Sequence, residues 1–97
     1  MSELRFEWDP EKDKANKRKH GVSFEEARTA FHDANARQFY DPDHSEDEDR
    51  FILLGMSWKL RVVIVCHCFR ERDLVIRIIT ARRADKDEET AYWESIR

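Results

Sequence analysis

Cysteine, glycine and proline each occur only twice among the 97 residues, and no apolar run approaches the ~20 residues needed to span a bilayer. The first five residues, Met1 to Arg5, hold no apolar stretch of signal-peptide type. The expected location is therefore the cytoplasm, with one domain over residues 1–97. Cys66 and Cys68 fit that setting. On a strand their backbones would lie about 6.5–7 Å apart with parallel side chains, which disfavours a disulfide. His67 between them would point to the opposite face, so one metal ion could not reach all three. They read as reduced core thiols. No glycine-rich phosphate loop and no Ser-His-Asp pattern is present. The net charge of −3 argues against simple nucleic-acid coating. With 40% hydrophobic and 40% charged residues, the chain is too apolar to be disordered and too charged for a membrane protein.

The pattern of what is there predicts an α+β domain. Leu4, Phe6 and Trp8 alternate with polar residues, as in a half-buried strand. Asp9 and Pro10 open a helix that Gly21 closes. Ser23 with Glu26 resembles a capping box for a second helix, with Phe24, Ala27 and Phe31 as its buried stripe. A strand around Gln38 to Tyr40 ends in an acid-rich turn from Asp41 to Asp49. Phe51–Met56, Leu60–Phe69 and Leu74–Ala81 read as an antiparallel meander. Asp85, with Glu88 completing a box, starts a last helix.

Charge is polarised along this plan. Lys12, Lys14, Lys17, Arg18 and Lys19 crowd the first helix, and Arg61, Arg70, Arg72, Arg77, Arg82 and Arg83 mark the later strands. Such a distribution can present a basic face to phosphates, though cations at a helix end also serve its dipole. Lys12, Asn16, Lys19 and His20 share one face of a helix that has almost no apolar stripe. That face packs on polar groups or meets a ligand. Val75, Arg77, Ile79 and Ala81 are expected to share a strand face, and Arg61 to sit with Val63, Val65 and His67. A guanidinium among apolar neighbours needs an anion. Glu88 could supply it structurally, or a substrate phosphate could supply it functionally.

Trp8-Asp9, Lys12, Asn16 and the run from Lys19 to Ala27 resemble the BrnT toxins of type II toxin–antitoxin systems. The resemblance continues through Phe31, Asp33, Asp41, His44, Glu48, Arg50, Gly55 and Arg61. It ends with Ile76 to Arg82, Ala84, Glu88 and Tyr92; Thr80 stands where serine is usual. The resemblance implies a RelE-like fold: a small curved antiparallel sheet with two N-terminal-side helices and a C-terminal helix. It implies a metal-independent ribonuclease without cofactors that stops translation. The implied partner is a BrnA-type antitoxin with a ribbon-helix-helix part, in a heterotetramer that reaches operator DNA only through the antitoxin.

Metal-free RNA cleavage uses the 2′-hydroxyl as nucleophile and needs a base, cations for the phosphorane and an acid. The candidates are Arg61 and Arg77 as phosphate clamps and His20 for proton transfer, with Glu88 and Tyr92 sharing a helix face beside them. Lys12, Lys19, Arg82 and Arg83 are expected to bind RNA. His44 and His67 are weaker candidates. Two rivals remain open. One is a metal nuclease built on Asp41, Asp43, His44, Glu46 and Asp47. The other is an inert antitoxin-binding protein acting only in operon control.

Overall fold

The computed structural model describes residues 4–96, so the chain's first three residues, part of the leader reading, fall outside it. Five strands form one open, curved sheet in the order β1-β5-β4-β3-β2. They are β1 (Arg5–Glu7), β2 (Arg37–Tyr40), β3 (Phe51–Met56), β4 (Val62–Arg70) and β5 (Val75–Arg83). Strands β3 to β5 form the expected antiparallel meander, β2 adds to it antiparallel to β3, and β1 joins the other edge parallel to β5. Helices α1 (Pro10–His20) and α2 (Phe24–Thr29) cover one face, and α3 (Lys86–Glu94) covers one end of the other.

The helix ends follow local chemistry. Asp9 accepts from the Glu11 amide, Pro10 occupies the first turn, and Gly21 stops α1 at φ 72°. Asp85 and Glu88 close a reciprocal capping box on α3. The box expected at α2 is only half formed: Ser23 accepts from the Glu26 amide at 3.0 Å. The Glu26 carboxylate turns inward, because a stronger partner waits there.

The main core joins Val22, Phe24, Ala27 and Ala30 to Leu53, Val63, Val65, Ile78 and Ala81. Gly55 lets β3 run under this layer, since a Cβ there would meet the Ala30 carbonyl at 3.0 Å. On the opposite face Tyr92 packs with Leu54 and Val62. α1 docks differently. Its buried residue is Asn16, whose amide donates to the carbonyls of Ala81 (2.7 Å) and Val22 (2.9 Å) and accepts from the Ala81 amide. Polar docking explains why this helix needs no apolar stripe.

The expected strand face is corrected by a β-bulge. Thr80 pairs with Cys66 and Ile78 with His67, leaving Ile79 as an extra residue on β5. The alternation therefore flips. Ala81 joins Ile78 in the core, while Ile79, Thr80 and Arg82 line the other face. His67 is buried beneath the helices and donor-acceptor paired with Gln38 at 2.9 Å. Burial lowers its pKa and keeps it neutral. Cys66 and Cys68 are free thiols.

Candidate functional site

The bulge at Ile79 and Thr80 places these two residues in the floor of two adjoining clefts. One, of about 280 Å³, is walled by Lys12, Ala15, Asn16, Lys19 and His20 from α1. The other, of about 250 Å³, is walled by Asp41, His44 and Arg50 on one side and Arg82 on another, over Ile52, Ile64 and Cys66. Cations thus stand on both sides of one short apolar floor.

Their states differ. Arg82 is held by a two-pronged pair with Glu88, at 2.8 and 2.9 Å. That bond to Arg82 outweighs burial and holds the Glu88 carboxyl below its ordinary value. The Arg50 guanidinium has its Nε buried and without a hydrogen-bond partner. Its charge reaches Cys66, whose thiol burial pushes up. Asp41 is buried, and its carboxylate meets His44 Nδ1 at 2.8 Å. On the far side of His44 and Arg50, the acid-rich loop forms a second open concavity with Asp43, Glu46, Asp47 and Glu48. Among the described residues, no three His, Cys, Asp or Glu side chains are grouped as a metal-ligand set.

The sequence matches, over residues 8–88, the family described as the ribonuclease toxin BrnT of type II toxin–antitoxin systems. The chain belongs to the BrnT family. Among solved structures, the Brucella abortus ribonuclease toxin BrnT matches with a TM-score of 0.65 at 21% identity. The match covers 87% of this chain and 100% of that one, and shows a shared fold. No curated protein matches the chain by sequence. Among the described residues no helix is long and apolar enough to cross a membrane.

This BrnT-family chain is therefore a ribonuclease toxin of a type II toxin–antitoxin system, and its clefts gather only part of the expected site. Lys12, Lys19, His20 and Arg82 border the shared floor. Glu88 reaches it only through Arg82. Arg83 is exposed at the end of β5, opposite Val63 in register. Glu88, one of the two anions open to the sheet arginines, pairs with Arg82 and not with Arg77. Arg77 bonds Glu7 at 2.6 Å, directly across the parallel β1–β5 pairing.

Arg61 grips Glu26 through Nε (2.7 Å) and Nη2 (2.6 Å), and also donates to the Gly21 carbonyl. Ser57 donates to the same carboxylate at 2.7 Å. Burial pushes the Glu26 carboxyl up, but the bonds and charges of Arg61, Ser57 and Lys59 outweigh it and hold the acid ionised. Tyr92 is buried and donates to Asp33 at 2.6 Å. Burial and that bond push its hydroxyl up to about 12. Both residues fasten the fold and lie outside the residues lining the clefts. The sequence pattern gives Arg50 and Thr80 no site role, offers Asp41 and His44 together only as ligands of the rival metal site, and makes His44 a weaker candidate for proton transfer. The i, i+3 spacing of Asp41 and His44 was the available signal.

Proposed function

We propose that this toxin is a metal-independent endoribonuclease whose RNA backbone crosses the Ile79–Thr80 floor. The observation that supports it is the pair of adjoining clefts with Lys12, Lys19 and His20 on one side and Arg50 and Arg82 on the other. Phosphates are attracted from both walls. The Arg50 guanidinium, which lines the cleft, is suited to donate to a phosphate oxygen as charge builds on the phosphorane. The attacking oxygen is the 2′-hydroxyl of the RNA, with His20 as the base that removes its proton. A new P–O2′ bond forms as the P–O5′ bond breaks. The products are a 2′,3′-cyclic phosphate and a 5′-hydroxyl.

Cleavage of this kind in the cytoplasm blocks translation. A BrnA-type antitoxin, with a ribbon-helix-helix part for operator DNA, neutralises it in a heterotetramer. Binding across the cleft would cover the same cations.

The test is direct. The purified chain should cut an RNA oligonucleotide in EDTA and leave the all-deoxy counterpart intact, because DNA lacks the nucleophile. Activity lost in EDTA and restored by Mg²⁺ would overturn the mechanism.

A further inference from the structure

One pair in the cleft has no task in the reaction as described. Asp41 and His44 stand on the wall opposite His20, joined at 2.8 Å through His44 Nδ1. The Asp41 side chain is 9% exposed and that of His44 is 67% exposed. A buried carboxylate thus holds a solvent-facing ring. The carboxylate is itself anchored by its backbone. The Asp41 amide donates to the Arg50 carbonyl at 2.9 Å, and the Asp41 carbonyl accepts from Ser45 Oγ. Ser45 Oγ in turn accepts from the Arg50 amide at 2.9 Å. Asp41, His44 and Arg50 therefore form one small built unit beside the floor.

We propose that His44 is the general acid of the cleavage reaction and that Asp41 is its positioning residue. This rests on the ribonuclease reading above. A ring bonded to a carboxylate through Nδ1 exchanges its proton at Nε2, and the carboxylate sets the ring's tautomer and orientation. The proton balance closes. His20 takes the 2′-hydroxyl proton while His44 gives one to the departing 5′-oxygen. The enzyme leaves the step with the same total charge and its two histidines exchanged in state. Arg50, adjacent to the pair, holds the phosphate between them.

A solvated turn ornament would not require a buried acid. An exposed aspartate could hold an N-cap or a turn equally well, and charges in such loops normally face water. Here the carboxylate is buried at the edge of the cleft, and the histidine extends from it.

The experiment compares two RNA substrates, one ordinary and one with sulfur in place of the scissile 5′-oxygen. A thiolate leaves without a proton, so loss of the acid no longer matters. His44→Gln is expected to slow cleavage of the ordinary linkage by roughly a hundred- to ten-thousand-fold, the usual share of a general acid. On the sulfur linkage it should approach the wild-type rate. His20→Gln should be slow on both. Asp41→Asn should lose part of the activity on the ordinary linkage and recover on the sulfur one, a pattern that mere loosening of the loop does not produce. Wild-type-like rates for His44→Gln, or equal losses on both linkages, would overturn the assignment while leaving the ribonuclease reading intact. If the wild type cuts neither substrate, the ribonuclease reading itself fails.

Discussion

Arg61→Ala should lower the melting temperature by at least about 12 °C, because removing one partner of a buried pair costs about 3–5 kcal/mol and each kcal/mol is worth roughly 4–8 °C in a domain of this size. The Glu26 side chain is 1% exposed, and Arg61 supplies two of its bonds. Without the guanidinium a buried carboxylate keeps only Ser57 and a distant Lys59 at 3.8 Å. Replacing both members together, as Arg61→Met with Glu26→Met, should recover much of the loss, since no charge is then stranded. Acid provides an internal check. The Glu26 carboxyl is held below its ordinary value of 4.5. Its contribution is therefore complete above that pH and disappears as pH falls through the lower folded value. The gap between wild type and Arg61→Ala should narrow in strong acid. A variant that melts like wild type, yet has lost RNA cleavage, would return Arg61 to the phosphate site.

Arg50→Ala should do the reverse. Removing a cation that meets developing phosphorane charge typically costs roughly a hundred- to a thousandfold in rate. Stability should scarcely change. The Arg50 backbone bonds to Ser45 and Asp41 survive the substitution, and the lost Nε had no partner to leave stranded. Arg50→Lys keeps the charge but not the planar fork, so it should recover only part of the rate. Thermal melting and cleavage rate measured on the same samples decide the matter. Full activity in Arg50→Ala would remove it from the reaction.

Local chemistry made much of the fold readable. Asp9, Pro10 and Gly21 mark α1, and Asp85 with Glu88 marks α3, because caps depend on neighbours a few residues away. The first strand was readable from alternation and the later ones from short apolar runs between polar links. What stayed hidden is non-local. Glu26 leaves its expected box for Arg61, a partner distant in sequence. Arg77 meets Glu7 only because β1 returns to pair with β5. The extra residue Ile79 reverses the faces that a simple period of two assigns.

The site shows the same division. Lys12, Lys19 and His20 were visible as a polar helical face lacking an apolar stripe, and they do border the cleft. Asp41 and His44 lie in a turn, with Arg50 just after it, whose acid content suggests either solvation or a metal site. Its role as a wall emerges only when the sheet folds beneath it.

The chemical identity of the cut ends tests the reaction most directly. RNA incubated with the purified toxin in EDTA should yield fragments ending in a 2′,3′-cyclic phosphate and beginning with a 5′-hydroxyl, as attack by the RNA's own 2′-oxygen requires. Fragments ending in a 3′-hydroxyl and beginning with a 5′-phosphate would mean that water is the nucleophile, and would contradict the mechanism.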